Sequence, residues 1–480
     1  MADIILRNHQ INHINHITNI TTNSFYAIDT SPTGSGKTIT TLYLAKQYNM
    51  KLLILCPANV MNHWKVESTK YGINNIILSY TKLVGKKTCN HPYLTRDEDR
   101  YLPTSNLLQL IQEKIMVVYD ESQKGKNPSA LTLNACHTIS NEIVKANNGS
   151  RIMILSATII DKPIYAESVL KMSGIITTKE LFIYDLPRNI YYLEGYGYNQ
   201  VIDYCKILDE PITNDITKKV NINAKHIRNT LYDLLSQIIK YHTSSAMPLP
   251  DIPSSFIGRI SYYKLPQDES NKLSEAIAWL KKAVHYENGD IKYEGSNFAE
   301  ITLAHKAIEV AKVNLFIRLA KKKLDDDVNN KVIMYLWYKD PLYNIADKLS
   351  EYKPIILNGD IDINKRTKMI SLFMEHNNNY RLILSHPLVG GIGISLDDTH
   401  GNYPRTIYIS PSFKFMDIHQ CAGRIYRTNT KSNAYVNLVN GQDNIEHIIL
   451  KAIARKTDIV KGMCLNNNIV YPGDYPVYVE

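Results

Sequence analysis

Two textures of apolar and polar positions alternate along the chain. Short runs that are almost wholly apolar are separated by longer segments whose apolar residues recur every three or four positions. The short runs read as strands buried on both faces and the longer segments as amphipathic helices, which together make a parallel sheet covered by helices on each side. In the first half, strands are predicted at Ser24 to Ile28, Lys51 to Cys56, Asn75 to Tyr80, Ile115 to Tyr119 and Arg151 to Leu155. Helices are predicted at Leu6 to Ile20, Ile39 to Tyr48, Asn59 to Lys70 and Pro128 to Val144. Between Thr81 and Lys114 the alternation lapses. That stretch carries Lys82, Lys86 and Lys87 and then Asp97, Glu98 and Asp99, and it reads as a solvated surface excursion rather than a binding element.

From Ile175 to about His242 the pattern is helical but irregular, and it ends in M-P-L-P-D-I-P. Pro248, Pro250 and Pro253 exclude both helix and central strand, which marks a domain boundary. Residues 1–245 then form a first lobe with 175–245 as its helical extension, 246–254 a proline-containing linker, and 255–480 a second lobe. The second lobe repeats the alternation. Helices are expected over Asn271 to His285, Phe298 to Lys323, Ile363 to His376 and Phe415 to Arg424. Strands are expected over Val332 to Trp337, Pro354 to Leu357, Arg381 to Ser385, Thr406 to Ser410 and Ala434 to Val439.

With 480 residues the chain is long enough for two large lobes, each burying a substantial core. A 44% apolar and 21% charged composition is that of an ordinary globular protein. The formal charge of +9 permits an anionic polymer as partner without demanding one. Six cysteines are scattered with no C-x-x-C pair, which argues against a disulfide framework or a zinc finger and for a reducing compartment. The N-terminal residues lack the layout of a signal peptide, and no apolar run reaches membrane-spanning length, so a soluble intracellular protein is expected. Tyrosine (33) far outnumbers phenylalanine (8), a bias that resembles translation of an AT-rich genome.

The stretch T-S-P-T-G-S-G-K-T, Thr30 to Thr38, sits between a predicted strand and a predicted helix. In that setting backbone N–H groups ring an anion at a helix N-terminus, where the dipole favours negative charge. Pro32, Thr33, Gly34, Ser35, Gly36, Lys37 and Thr38 are the candidate phosphate-binding residues; Gly34 and Gly36 permit the turn, Lys37 reaches the terminal phosphates, and the Thr38 hydroxyl can ligate magnesium. One position departs from the usual pattern. Ser31 stands where such loops begin with glycine. Upstream, His9, His13 and His16 share a face of the first helix. They could bind a metal, but without acidic or cysteine neighbours a solvated polar face is the expectation.

The run I-M-V-V-Y-D-E-S-Q ends an apolar strand with two carboxylates. At a strand's carboxyl end they project into the crevice where ligands sit in such sheets. Asp120 can hold the magnesium, and Glu121 can orient and deprotonate an attacking water. Gln123, Ser156 and Thr158 are candidates for relaying nucleotide state to a polymer site. In the second lobe, Q-C-A-G-R-I-Y-R contributes Gln420, Arg424 and Arg427. Arginines brought in from another unit stabilise the charge of a transferring phosphoryl group, and Arg424 and Arg427, three apart on a predicted helix, share a face.

Taken in order, these motifs resemble those of superfamily 2 helicase-like ATPases, and are similar to those of the SNF2-type double-stranded DNA translocases. P-T-G-S-G-K-T matches motif I, and L-R-N-H-Q resembles the upstream glutamine motif, which implies that Gln10 reads adenine. I-L-C-P-A-N-V-M-N-H-W resembles motif Ia, D-E-S-Q-K-G-K-N-P-S-A motif II, L-S-A-T motif III, L-N-G-D-I-D-I-N-K-R motif IV and G-G-I-G-I-S-L motif V. Gln123 stands where SNF2 relatives usually carry histidine, and the helicase-like ATPases of large DNA viruses are a second point of resemblance.

The resemblance implies an α/β fold of two tandem RecA-like P-loop lobes that enclose ATP and Mg2+, with Gly393 of motif V at the nucleotide. It also implies nucleic acid, duplex DNA favoured, contacted by Pro57, Asn62, Trp64, Ser385, Gly390 and Gly391. Trp64 would stack on a base or be a buried aromatic. The implied activity is a nucleic-acid-dependent ATPase, a helicase or translocase working as a monomer without membrane association, in the host cytoplasm, nucleus or virion if viral, and targeted by a protein partner. An RNA helicase and a catalytically dead scaffold are the alternatives.

Overall fold

The computed structural model describes residues 3–85, 92–125, 127, 130–179, 181, 183–185, 190–192, 197–209, 224–248, 252–287, 290–292, 297–377, 379–390, 394–442, 446–463 and 469–480. They fall into two compact units, Met1–Leu249 with Ile459–Ile469, and Pro250–Asp458 with Val470–Glu480. The late segment belongs with the first unit because the Tyr232 hydroxyl donates to the Ile459 carbonyl at 2.7 Å and Met463 joins the first unit's core.

In the first unit six strands form a parallel sheet in the order Ser244–Ser245, Tyr26–Asp29, Arg151–Leu155, Ile115–Asp120, Lys51–Cys56 and Asn75–Ser79. Because successive strand side chains point to opposite faces, each strand feeds two cores. Leu53, Leu55, Val117, Tyr119, Ile152 and Ile154 pack on one side. Leu52, Ile54, Met116, Val118, Met153 and Leu155 pack on the other, against the helices Asn8–Asn23, Lys37–Gln47 and Met61–Tyr71.

The predicted strands of this unit are present, and the helix expected from Pro128 runs Leu131–Ala146. The stretch after Thr81 differs from expectation. A hairpin, Leu94–Asp97 with Arg100–Pro103, and the helix Ser105–Gln112 place Leu94, Tyr101, Leu107, Leu110 and Ile111 in the core. The apolar residues are spaced by a hairpin rather than by one helix or strand, so no single period reveals them. Lys86 and Lys87 lie outside the described residues. The edge strand Ser244–Ser245 carries no apolar signal at all.

The second unit holds a seven-stranded parallel sheet in the order Ile355–Leu357, Leu382–Ser385, Lys331–Tyr335, Arg405–Ile409, Ala434–Gly441, Phe256–Tyr263 and Val477–Val479. Phe256–Tyr263 and Val477–Val479 were not expected: the first mixes Gly258, Arg259 and Ser261 with apolar residues, and the second is exposed throughout. The helix expected over Phe298 to Lys323 is two, Asn297–Ala311 and Val313–Asp326. Buried charges at the junction account for the break. Glu309 accepts from the Trp337 and Tyr338 amides at 2.9 and 3.0 Å, and Lys312 donates to Glu446 at 2.7 Å and to the Val439 carbonyl at 3.1 Å. Glu309 and Lys312 each have hydrogen-bond partners, as burial requires.

Each unit also buries one histidine in its neutral form. His137 bonds the Ile176 carbonyl at 2.8 Å, and burial, aided by nearby Lys171 and opposed by that bond, brings it down to about 4. His305 bonds the Pro411 carbonyl at 2.9 Å, and burial, aided by Lys312 and Lys414, likewise brings it down to about 4. An unfolded chain binds these protons near 6.5, so the stabilisation is complete above that pH and is lost as pH falls towards 4. Between pH 7 and pH 4.5 each histidine should therefore cost its unit on the order of 2 kcal/mol, while Asp120 in the first unit and Glu309 in the second, both pushed up to about 7 chiefly by burial, act in the opposite sense. In urea denaturation His137→Gln should gain stability relative to the wild type as pH falls from 7 to 4.5, in the first unit alone; a difference between the two that does not change with pH would show that His137 is not held neutral by the fold.

Candidate active site

The phosphate loop follows the strand Tyr26–Asp29 and ends in the helix Lys37–Gln47. Gly34 and Gly36 both take positive φ, at 84° and 103°, which side chains disfavour. A Cβ at Gly36 would also run into the Gln10 amide. Gln10 itself braces the loop: its amide donates to the Ser35 carbonyl at 3.4 Å, and its oxygen accepts the Arg7 N–H at 2.9 Å. Lys37 folds back over the loop, donating to the Ser31 and Pro32 carbonyls at 2.7 and 3.1 Å. Thr38 follows, half-buried in the helix's first turn.

Two buried carboxylates flank this loop in the sheet. Burial works against the charge of Asp29, but His13, Lys37 and the Ser31 amide outweigh it and hold the carboxyl below its ordinary range. His13 contacts Asp29 at 3.1 Å through Nε2 and the Ser245 hydroxyl at 2.8 Å through Nδ1. The solvated face expected for the three histidines is thus wrong for His13, which is buried by a carboxylate partner that sequence spacing did not reveal. Among the described residues no group of three or more His, Cys, Asp or Glu could hold a metal.

Asp120 has the opposite balance. Burial first and the adjacent Glu121 second push it up to about 7, against the Trp64 indole and Lys37. Trp64 is fully buried and its Nε1 donates to Asp120 Oδ2 at 2.7 Å, so it has no open face for a base. Of the two readings of Trp64 the buried aromatic is the one observed, and its indole orients the carboxylate rather than stacking on a base. A hard oxygen donor set, the Thr38 hydroxyl and an under-compensated Asp120 carboxylate, suits Mg2+. Glu121 sits at φ 52°, a strained value for a residue with a side chain, where the strand ends.

From Glu121 a chain of bonds runs to motif III. The Gln123 amide donates to Glu121, the Ser156 hydroxyl contacts Gln123 Oε1 at 2.7 Å, and the Thr158 amide donates to Ser156 Oγ at 3.1 Å. All three residues named as relay candidates are thus joined to Glu121. Pro57 is half-buried and Asn62 exposed on the same unit, past the strand Lys51–Cys56. Lys126, Pro128 and Ser129 of the motif II extension lie outside the described residues.

In the second unit the helix Phe415–Ala422 carries the buried Gln420 and stops before both arginines. Arg424 and Arg427 therefore do not share a helical face: Gly423 caps the helix and the chain turns. They converge nonetheless, Arg424 donating to the Ile394 carbonyl at 3.2 Å and Arg427 to the same oxygen at 2.7 Å. Asp397, not singled out from sequence, braces this turn by accepting from Ser395 at 2.6 Å and from Thr430 at 3.4 Å. Ser385 and Gly390 are buried: the Ser385 hydroxyl bonds the Leu357 and His386 carbonyls, and the Gly390 carbonyl accepts from the Tyr335 hydroxyl at 3.0 Å. As polymer contacts both are corrected to supports of the motif V turn. Gly391 and Gly393 lie outside the described residues.

No family model matches the chain. A protein of Acanthamoeba polyphaga mimivirus, named as a putative ATP-dependent RNA helicase, is 25% identical over 478 residues, 95% of this chain and 83% of that protein. Transcription termination factor 2 of Drosophila melanogaster is 24% identical over 155 residues, 32% of this chain and 14% of that one. The SWI2/SNF2 ATPase core of Sulfolobus solfataricus, solved in complex with double-stranded DNA, matches over 91% of this chain and 88% of that chain at 15% identity and TM-score 0.32. So loose a superposition transfers no residue.

Trp64→Phe tests the orienting role. Loss of the indole N–H leaves Asp120 with one donor fewer in a buried setting, so the first unit should lose about 1–3 kcal/mol of stability. Duplex DNA affinity should stay within about twofold, because no base contact is removed. A tenfold weaker affinity with unchanged stability would restore the stacking role.

Proposed function

We propose that this chain, an SNF2-type member of the superfamily 2 helicase-like ATPases, couples ATP hydrolysis to movement along duplex DNA. The observation that carries the proposal is the first unit's constellation: Lys37 folded over phosphate-loop carbonyls, a buried Asp120–Glu121 pair, and a hydrogen-bonded relay from Glu121 to Ser156. Lys37 exchanges the Ser31 and Pro32 carbonyls for the phosphates of ATP, and the loop amides at the helix N-terminus complete the cradle. Thr38 and Asp120 would hold Mg2+, which would supply neutralisation of charge on the phosphates. Glu121 orients a water and takes its proton as that water attacks the γ-phosphorus and the bond to the bridging oxygen breaks, releasing ADP and phosphate.

Arg424 and Arg427 supply the second unit's share. In this reading the two arginines act on the γ-phosphate, where guanidinium groups stabilise the transferring charge. Gln123 joins the hydrolytic carboxylate to motif III, and by that path hydrolysis alters the grip on the polymer. Repeated closure and release advances the protein along its track. Exposed Asn62 and half-buried Pro57 remain as polymer contacts, and phosphate contacts dominate, so binding is salt-dependent and largely indifferent to sequence. A second reading, an RNA helicase, is favoured by the name of the viral relative that spans nearly the whole chain.

Lys37→Ala and Glu121→Gln should each lower ATP turnover by at least about a hundredfold while polymer binding survives. Unchanged turnover in both would sink the assignment. Turnover measured with duplex DNA, single-stranded DNA and RNA decides the polymer: strongest stimulation by duplex DNA is expected, and strongest stimulation by RNA would select the second reading.

A further inference from the structure

The one departure from the usual phosphate-loop pattern, Ser31, has a partner that glycine could not hold. The Ser31 hydroxyl, fully buried, accepts the Met247 N–H at 2.8 Å. Met247 closes a short segment laid along the loop. Ser244–Ser245 pair in parallel with Ile28 and Asp29, the Thr30 amide donates to the Ser245 carbonyl at 2.9 Å, and His13 bridges Ser245 to Asp29. Asp29 in turn accepts the Ser31 N–H at 2.9 Å through its other oxygen. Ser31 is thus held through all three of its polar groups: amide to Asp29, hydroxyl to Met247, carbonyl to Lys37.

Beyond Met247 the chain continues into the second unit. There the Ser254 hydroxyl donates to the Thr430 carbonyl at 3.1 Å, the Tyr426 hydroxyl donates to the Ser254 carbonyl at 2.9 Å, and the Ser255 amide donates to Asn433 at 3.0 Å. Tyr426 and Thr430 flank Arg427, whose own amide donates to the Thr430 hydroxyl at 2.7 Å. The connector therefore begins on the phosphate loop and ends on the arginine turn.

We infer that Ser31 is a positioning residue that fastens this connector to the phosphate loop, so that nucleotide state at Lys37 is passed along the chain to the turn bearing Arg427. The inference rests on the ATPase reading above. When Lys37 leaves the Ser31 carbonyl for a phosphate, the residue it releases is the one that holds Met247, so an adjustment of the loop reaches Met247 through this buried bond, beside the ties of Thr30 and His13 to Ser245. Glycine at this position would keep the loop's shape and its phosphate amides but would leave the buried Met247 amide without the Ser31 hydroxyl.

The full-length wild type, Ser31→Ala, Ser31→Gly and Ser31→Thr are compared in two measurements. Amide exchange over residues 244–258, with and without Mg2+ and a non-hydrolysable ATP analogue, reads the transmission; steady-state ATPase with duplex DNA reads its consequence. The analogue should change exchange in the wild type and in Ser31→Thr, and should change it at most weakly in Ser31→Ala and Ser31→Gly. In the latter two kcat should fall about five- to tenfold while KM for ATP stays within about twofold, because the bond couples motion rather than binding nucleotide. A wild-type exchange response in Ser31→Ala overturns the inference, as does equal loss in Ser31→Thr and Ser31→Ala. A wild type that binds the analogue but hydrolyses no ATP defeats the ATPase reading instead, and the exchange arm still decides the role of Ser31.

Discussion

The charge of Lys37 acts on two buried carboxylates, and the unequal way they are compensated sets what the first unit can do. Asp29 has an imidazole on one oxygen and a backbone amide on the other, so it remains an anion despite burial. Asp120 has the Trp64 indole on one oxygen and a like charge as its sequence neighbour, so it is driven towards holding a proton. Burial works against both charges, and only Asp29 has partners enough to outweigh it. Asp29 is therefore structural, a fixed negative post for His13, Ser31 and Lys37. Asp120 is the carboxylate with a reason to take a cation.

Convergence on one backbone oxygen plays the comparable part in the second unit. Arg424 and Arg427 come from a turn rather than a helix, and what makes them act together is the Ile394 carbonyl that both reach. That carbonyl belongs to motif V, and the Leu396 amide returns a bond to the Arg424 carbonyl at 2.9 Å. Motifs V and VI are thus one hydrogen-bonded body, further locked by Asp397 and Thr430. A rigid mount suits arginines that must meet a phosphate at a set distance, since long side chains lose entropy whenever they are ordered by the ligand alone.

Much of this was legible in the sequence because its signals are local. Lys51–Cys56 and Arg151–Leu155 begin and end where the apolar runs do, since a strand covered on both faces must be apolar at every position. The phosphate loop and the Asp-Glu pair were legible because their residue types are fixed by the chemistry they serve. Elements whose stabilising partners are remote were not. Ser244–Ser245 is a strand only because Tyr26–Asp29 lies beside it, and Lys312, at the break between two helices, is buried against Glu446, 134 residues on. Phe256–Tyr263 is hidden because a sheet neighbour, not its own composition, makes Arg259 and Ser261 acceptable in a strand.

The misread residues share one property. Trp64 and Asp120 are 56 positions apart, His13 and Ser245 are 232 apart, and Ser31 and Met247 are 216 apart. A period or a motif weighs neighbours within a few turns, so each of these residues was given what its local surroundings suggest: a stacking or merely buried aromatic, a solvated histidine, an irregular loop start. In the fold each is instead a polar group buried with one specific distant partner. Such pairings are costly to leave unmade, which makes them stiff, and they join segments far apart in the chain. Stiff bonds between remote segments are what a nucleotide-driven machine requires if an event at one phosphate is to be felt elsewhere. Ser31 meets that condition because its three polar groups are committed in three directions, so it cannot yield to Lys37 without moving the segment that ends at Met247.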